Sequence, residues 1–267
     1  MADSYGEAGV SIRMRVLKSS TAANGRNPSA LRLGVGCVAR QRVSRLGALL
    51  GGVVALWMPM GCAGLSTSRE PFNLYDAKQA VIAYADSGDY DRDLRAAAAK
   101  AQAWIAQRVA RKTPGERLAV VFDVDETVIS NLPHMREMDF GYVAIPWSDW
   151  VKDAAGPALA PVREVYDECR RLGVAVVFIT GRKDLRDRAG TERNLRAQGM
   201  GEYARLILAQ PSEDGLGTAE RKARSRASLE QNDGYRVIAS IGDQLTDLQG
   251  GHAERVFKLP NPFYTIP

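Results

Sequence analysis

Residues 118–127 read LAVVFDVDET, a short apolar run that ends in acidic side chains. Runs of the same kind alternate with helical segments further along the chain; the runs lie at 174–179, 206–208 and 237–241, with a weaker one at 256–257, and the helices at about 161–172, 184–198 and 218–231. Continuous apolar runs separated by helices are typical of parallel strands that are buried on both faces. We therefore predict an α/β fold with a Rossmann-like parallel sheet and helices on both faces.

Polar groups follow three of these runs. Asp123 and Asp125 follow the first, Thr180 and Gly181 follow the run at 174–179, and Asp243 and Asp247 follow the run at 237–241. Ligands of doubly wound sheets bind at the carboxyl ends of the strands, so we expect these groups to meet at one edge. Converging carboxylates repel each other unless a cation neutralises them. Oxygen ligands without His or Cys favour a hard ion, and Mg²⁺ is the ion we expect.

The order of these motifs resembles that of the haloacid dehalogenase-like phosphatase superfamily. DVDET at 123–127 and GDQLTDL at 242–248 look like the class B/C acid phosphatase branch, which includes bacterial lipoprotein acid phosphatases and plant vegetative storage proteins. The sequence FKLPNPFY at 257–264 is also similar to this group. The resemblance covers roughly residues 90–267, and it implies a small cap inserted after the first strand, here at about 131–159. A helical extension is expected before the sheet.

The resemblance implies a role for each acidic residue. Asp123 is the expected nucleophile, which attacks phosphorus to give an aspartyl-phosphate. Asp125 is expected to protonate the leaving alkoxide and then to activate water, and we expect neighbouring carboxylates to raise its pKa. Asp123, the Asp125 carbonyl and Asp243 are the expected Mg²⁺ ligands. Asp247 is expected to orient a metal-bound water or a lysine, and its alternative role is helix capping.

Three residues are expected to bind the phosphoryl group. Thr180 offers a hydroxyl and Gly181 a backbone N–H. The resembled phosphatases also place a lysine there, and Lys222 is assigned that role although its neighbours depart from the family pattern. Lys183 or Arg224 is the alternative, and a solvated helix face is the alternative location for Lys222.

The predicted cap segment is rich in aromatic residues. Tyr142 and Trp147 are expected to line the substrate pocket, where a ring stacked on a nucleotide base contributes about 1–3 kcal/mol. The alternative is that these rings form the core of the cap, which is the interpretation that we favour for Trp150. His134 either binds phosphate or is structural. The expected substrates are therefore small phosphomonoesters, 5′-nucleotides among them.

The net charge of +5 comes from the beginning of the chain. Residues 1–61 hold eight Lys/Arg and two Asp/Glu, which leaves 28 and 29 for the remainder. This balance argues against a basic groove for a nucleic acid polymer.

A secretory leader is indicated by residues 46–61, sixteen uncharged residues that follow three arginines. The segment is short for a membrane-spanning helix. The sequence MGC at 60–62 resembles a bacterial lipobox, although Pro59 departs from that pattern. We predict an exported protein, a periplasmic or outer-membrane lipoprotein that reaches the membrane through a lipid on Cys62. An uncleaved anchor or a stray apolar segment is the alternative.

These features predict the division of the chain and its function. The leader comprises residues 1–61, the tether 62–72, the N-terminal helices 73–112 and the phosphatase core 113–267. The expected function is that of an exported, Mg²⁺-dependent acid phosphatase. One alternative is a phosphotransferase of the same fold that passes the phosphoryl group to an alcohol. The other is a non-catalytic surface lipoprotein or storage-type binding protein, which the presence of Asp123 disfavours.

Overall fold

The computed structural model describes residues 73–267. The predicted leader, the tether and Cys62 lie outside the described residues. Between residues 73 and 267, no helix combines the length and the apolar character needed to cross a membrane.

Five parallel strands form the sheet; they are β1 (Leu118–Phe122), β2 (Ala175–Lys183), β3 (Arg205–Ala209), β4 (Arg236–Gly242) and β5 (Val256–Lys258). Their order across the sheet is β3-β2-β1-β4-β5, so the strand that carries the first acidic motif lies at the centre. All five residues of β1 are buried, because the sheet is covered on both faces. The predicted parallel α/β sheet is confirmed.

Seven helices are found among the described residues; they are α1 (Leu74–Asp86), α2 (Asp89–Val109), α3 (Leu132–Glu137), α4 (Ala144–Asp153), α5 (Ala160–Arg171), α6 (Asp184–Ala197) and α7 (Thr218–Gln231). Short 3₁₀ turns occupy Pro211–Glu213 and Leu245–Asp247. Helices α1 and α2 precede the sheet. Helices α3 and α4 lie within residues 131–159, which we call the cap segment.

Helix α2 attaches the N-terminal part of the described chain to the sheet. Its apolar stripe buries Leu94, Ala101 and Ile105 against the main core. Complete burial of a Leu or Ile side chain contributes about 1.5–3 kcal/mol. Trp104 is partly buried, and its indole Nε1 donates to the carbonyl of Ile238 in β4 at 2.7 Å. The apolar stripe is thus the surface of α2 that packs against the core.

Strand β2 is longer than the apolar run that predicts it. The run ends at Ile179, whereas the strand continues to Lys183, with a register shift against β3 in between. The additional residues include Thr180 and Arg182, which are buried although they are polar. Their partners lie in other motifs, so hydrophobicity alone does not reveal that the strand continues. These side chains are therefore held on a strand and not on a loop.

The cap segment is fastened to α6. Gly190 of α6 lies against the backbone of Val151 so closely that a Cβ would overlap it. Asn194 of α6 donates from Nδ2 to the carbonyl of Gly156 at 2.7 Å. These contacts fix the position of α4 beside the carboxyl end of β2.

Candidate active site

Lys222 and Asp123 meet at the carboxyl end of β1. The Lys222 ammonium lies 2.5 Å from Asp123 Oδ1 and 2.5 Å from Asp247 Oδ1, and all three side chains are buried. Burial lowers the pKa of Lys222, but the two carboxylates outweigh burial and the pKa is raised. The lysine therefore remains charged between two acids.

Two other cations were alternatives for this position. Lys183 pairs with Asp214 at 2.8 Å, and both side chains are largely exposed. Arg224 pairs with Glu220 of its own helix, also in an exposed position. Neither contacts Asp123, whereas Lys222 does.

Three carboxylates form a compact acidic group beside this lysine. Asp123, Asp243 and Asp247 each offer an oxygen, and these oxygens lie within 4.8 Å of one another. Burial raises the pKa of Asp123 well above its usual range, and the neighbouring acids add to the rise while Lys222 opposes it. A divalent cation would stabilise the ionised forms, and an all-oxygen donor set suits Mg²⁺. The residues present thus fit the expected metal.

Asp243 is held by three donors. Thr127 Oγ1 donates to Oδ1 at 3.1 Å, while Gln244 Nε2 and Asn261 Nδ2 each donate to Oδ2 at 2.6 Å. Burial, with Asp247 next to it, raises the pKa of Asp243, and the two amide donors act against that rise. The orientation of this carboxylate is therefore fixed by residues from three different segments.

Asp247 combines the two roles that the sequence left as alternatives. Its Oδ1 accepts from Lys222, and its Oδ2 accepts from the backbone N–H of Gln244 at 2.8 Å, which caps the 3₁₀ turn. A Cβ on Gly242 would lie 2.5 Å from Asp247 Oδ2, so only glycine leaves room for this carboxylate. Arg226, fully buried, donates to the Asp247 carbonyl at 2.8 Å and holds the turn in place.

Asp125 lies outside the acidic group and is paired with Arg182. Arg182 Nη2 donates to Asp125 Oδ1 at 2.7 Å, and Asn131 Nδ2 donates to the same oxygen at 2.9 Å. Burial raises the pKa of Asp125, but Arg182 and Asn131 outweigh burial and the pKa is lowered. The expectation of a raised pKa was therefore wrong, because the nearest charge is a guanidinium and not a second carboxylate.

Thr180 and Gly181 lie on the last residues of β2 beside Asp125. Thr180 Oγ1 is 3.5 Å from Asp125 Oδ2 and accepts from the backbone N–H of Arg182 at 3.2 Å. Arg221 donates to the Thr180 carbonyl at 3.1 Å. Gly181 lines the cavity and has no side chain to cover its backbone. A Cβ at this position would come no closer than 3.9 Å to Arg221.

Glu126 is a buried acid for which the sequence analysis proposed no role. Its backbone has a left-handed φ of 52°, and its side chain accepts from the backbone N–H of Asn131 at 2.5 Å and from Tyr264 Oη at 2.8 Å. Burial, together with the charge of Asp125, raises the pKa of Glu126 to about 8. Glu126 thus links the first motif to the cap segment and to the residues after β5.

A cavity of about 670 Å³ opens above these groups. Tyr142 and Trp147 line it, as do Arg182 and Lys222. Trp147 lies under the Arg182 guanidinium, whose Cζ is 5.8 Å from the ring centroid. Tyr142 is 73% exposed, so its ring is accessible at the edge of the cavity.

Two further ring side chains of the cap segment, those of Trp150 and His134, pack together. Trp150 donates from Nε1 to Asn131 Oδ1 at 2.8 Å and stacks on His134, with 5.5 Å between ring centroids. His134 is buried but also lines the cavity. The contacts of Trp150 are those of a residue in the core of the cap segment. His134 contacts this core and also lines the cavity.

Sequence reasoning missed several polar residues of the site; they are Glu126, Asn131, Arg221, Gln244, Asn261 and Tyr264. Two of them, Asn261 and Tyr264, lie in the FKLPNPFY sequence, which is similar to the acid phosphatase group. The paired prolines around Asn261 were a local signal of a fixed loop. Asn131 and Arg221 gave no such signal.

The sequence matches a family model and several known proteins. A family model described as HAD superfamily, subfamily IIIB (acid phosphatase) matches residues 63–267. Acid phosphatase 1 of Solanum lycopersicum is 36% identical over 151 residues, which are 55% of this chain and 58% of that protein. The stem 28 kDa glycoprotein of Glycine max is 36% identical over 152 residues, or 55% of this chain and 59% of that protein. The chain thus spans less than two thirds of the length of these relatives.

A solved structure shares the fold. The class C acid phosphatase from Bacillus anthracis is 23% identical, with a TM-score of 0.59 over 71% of this chain and 86% of that chain. The family-model match confirms the resemblance drawn from the motifs. The family model covers well over half of the sequence, and the chain belongs to the HAD superfamily, subfamily IIIB, the acid phosphatase subfamily.

Proposed function

We propose that this protein hydrolyses small phosphomonoesters through an aspartyl-phosphate on Asp123. The observation that carries the proposal is the buried contact between Asp123 and Lys222 at the floor of the cavity. An acid held there by a charged lysine, with Asp125 two residues away, provides the nucleophile, the phosphate-binding cation and a proton-transfer group. Family membership favours the same activity.

In the first step, Asp123 attacks phosphorus and the bond from phosphorus to the leaving oxygen breaks. The electron pair of that bond goes to the leaving oxygen, which takes a proton from Asp125. Asp125 is ionised while Arg182 pairs with it, so it gains this proton only in the substrate complex, where the bound phosphoryl group draws the guanidinium away. Lys222, the Thr180 hydroxyl and the Gly181 N–H hold the phosphoryl oxygens. The positive charge of Lys222 offsets the repulsion between two anions, the Asp123 carboxylate and the phosphate.

In the second step, water attacks phosphorus and the aspartyl–phosphorus bond breaks. Asp125 takes the proton from water, and the electron pair returns to the Asp123 carboxylate as inorganic phosphate leaves. Because Arg182 pairs with Asp125 and also lines the cavity, a bound phosphoryl group competes for this guanidinium. Arg182 therefore orients Asp125 and controls its protonation.

The residues that would hold Mg²⁺ are Asp123, the Asp125 carbonyl and Asp243, with Asp247 beside them. When bound, the ion shields the anionic carboxylate from the anionic phosphate. The support for this site is the acidic group itself, three buried carboxylates within reach of one ion.

The lining of the cavity wall supports a proposal for the substrate class. Tyr142 and Trp147 present aromatic surface beside basic side chains, an arrangement that suits a planar base or aryl group attached to a phosphate. We propose 5′-nucleotides and aryl phosphates as substrates that are preferred over small sugar phosphates.

We also propose the location that the leader pattern indicates. In this proposal residues 1–61 direct export, Cys62 carries a lipid, and residues 62–72 tether a body that comprises the N-terminal helices and the core from 113. The protein is then a periplasmic or outer-membrane lipoprotein. Labelling cells with a radioactive fatty acid tests this, because the Cys62→Ser variant is expected to lose the label.

A non-catalytic storage role is the second candidate, because vegetative storage protein 1 of Arabidopsis thaliana is 33% identical over 152 residues. The substitution Asp123→Asn helps to distinguish the two candidate functions. If Asp123 is the nucleophile, Asp123→Asn abolishes phosphate release from p-nitrophenyl phosphate and nucleoside monophosphates, while circular dichroism and thermal unfolding stay close to wild type. Undetectable release by the wild type with Mg²⁺ across pH 4–8 would favour the storage role.

A further inference from the structure

The residues after β5 are built into the candidate active site. We call residues 259–266 the closing segment. It begins where the Leu259 N–H donates to the Gly242 carbonyl at 2.8 Å, beside the end of β4. Four further bonds join it to the site. Asn261 Nδ2 donates to Asp243 Oδ2 at 2.6 Å, and Tyr264 Oη donates to Glu126 Oε2 at 2.8 Å. The Ile266 N–H donates to Gln244 Oε1 at 3.0 Å, and Gln244 Nε2 donates to the Tyr264 carbonyl at 3.4 Å. The segment is thus anchored to residues that follow both β1 and β4.

Both ends of the Asn261 side-chain amide are hydrogen-bonded. Its Oδ1 accepts from the backbone N–H of Phe263 at 2.8 Å, which forms a local turn and leaves Nδ2 to donate to Asp243. Pro260 and Pro262 flank it, and each proline fixes its own φ. The amide is therefore held in place before any ligand binds.

Aromatic packing supports this position. The Phe263 ring lies 5.3 Å from Tyr90 and 6.3 Å from Phe140, measured between centroids. Tyr90 belongs to α2 and Phe140 to the cap segment, so the closing segment is held between the N-terminal helices and the cap segment.

We propose that Asn261 is a positioning residue that orients Asp243 for binding of a divalent cation; this inference rests on the proposed function. Among residues 73–267, Asp243 Oδ2 takes both amide donors and Oδ1 has a single donor, Thr127, so Oδ1 keeps a lone pair for a cation. Partners of this kind commonly change metal affinity ten- to a hundred-fold when they are removed. Asn261→Ala is therefore expected to raise the Mg²⁺ dissociation constant by about ten- to a hundred-fold.

The test is isothermal titration of the full chain with Mg²⁺ alone, without substrate. Asn261→Ala removes both the turn and the donor. Asn261→Ser keeps a hydroxyl that can accept from the Phe263 N–H but cannot reach Asp243. Asn232→Ala is the matched control, because Asn232 donates only to Ser228 on an exposed helix end. A kinetic series over Mg²⁺ concentration supplies a second readout. In the Asn261 variants, kcat at saturating Mg²⁺ is expected to match wild type, while the Mg²⁺ concentration that gives half-maximal activity is higher.

The outcomes separate the inference from the proposed function. Equal weakening by Asn261→Ala and Asn261→Ser, with Asn232→Ala unchanged, supports the inference. Wild-type affinity in Asn261→Ser, or in both variants, overturns it and leaves the proposed function standing. A wild-type chain that binds no Mg²⁺ overturns the metal site of the proposed function and this inference with it. If Asn261→Ala does not fold, Asn261→Ser alone decides.

Discussion

Arg182 and Asp125 form an ion pair in the interior, where their side chains are 2% and 18% exposed. The guanidinium donates to Asp125 from two nitrogens. Its Nε lies 3.1 Å from Asp125 Oδ1, and its Nη2 lies 2.7 Å from the same oxygen. Its Nη1 donates to Thr191 Oγ1 at 3.1 Å, which fixes the plane of the group. The residue that we propose for proton transfer is thus oriented by Arg182 of β2, which Thr191 of α6 holds in turn.

Arg182→Lys is expected to lower kcat by at least about ten-fold, because an ammonium cannot reproduce the planar pair that orients Asp125. Steady-state kinetics with p-nitrophenyl phosphate measures this. Arg171→Lys is the control, since Arg171 is exposed and pairs with Glu168 of its own helix. A kcat equal to that of the control would remove the positioning role of Arg182.

Lys222→Ala is expected to reduce both activity and stability, because two buried carboxylates lose their shared partner. Removing one partner from a buried pair costs about 3–5 kcal/mol of unfolding free energy. The loss of a charged donor at the phosphoryl group is expected to lower kcat by about a hundred-fold or more. Urea unfolding and kinetics measure the two effects. Lys100→Ala, on the exposed face of α2, controls for the loss of a lysine, and equal stability of the two variants contradicts the burial argument.

Gly242→Ala is expected to displace Asp247, because the new methyl would occupy the space of its carboxylate. Overpacking of this kind costs about 1–3 kcal/mol, and the Lys222–Asp247 contact is lost with it, so kcat falls as well. Thermal unfolding and phosphate release are the measurements. Gly217→Ala is the matched control, since its added methyl would have no neighbour within 4 Å in the part of the chain that the structure describes. Wild-type kinetics in Gly242→Ala would show that the position of Asp247 does not matter.

Glu116 gives a prediction for stability against pH. Hydrogen bonds from Arg108, then from the Thr113 backbone, lower the pKa of Glu116 from 4.5 to about 2. A carboxyl with a lowered folded-state pKa stabilises fully above its unfolded pKa, and that contribution disappears as pH falls through the folded pKa. The melting temperature of wild type should therefore exceed that of Glu116→Gln at pH 7, and the gap should narrow from about pH 4.5 towards 2.

Thermal unfolding at pH 7, 5, 4 and 3 follows this gap. Glu164→Gln, with an exposed carboxylate on α5, is the control. A gap of constant size across this range contradicts the assigned cause.

The sheet could be predicted because a continuous apolar run in the sequence indicates a strand that is buried on both faces. β1, β4 and the helices between the strands follow from local hydrophobicity and its periodicity. The end of β2 could not be predicted, because Thr180 and Arg182 are buried by partners elsewhere in the chain. Which polar residues stay in a strand depends on contacts that no local window contains.

The acids of the site could be predicted from their position after the strands, but their environment could not. The pKa of Asp125 depends on the direction in which Arg182 points, and the spacing of the motifs does not reveal that direction. Tyr264 and Glu126 form a hydrogen bond although they are 138 residues apart. Only the folded chain shows that the closing segment reaches the first motif.

The central claim is that Asp123 carries the phosphoryl group during turnover. The full chain is mixed with p-nitrophenyl phosphate and Mg²⁺, quenched in acid within milliseconds, digested and analysed by mass spectrometry. The account predicts one phosphoryl group on the peptide that contains residues 118–127, located at Asp123 and absent from Asp123→Asn. Rapid phosphate release with no phosphorylated peptide, or with the label on another residue, would contradict the account.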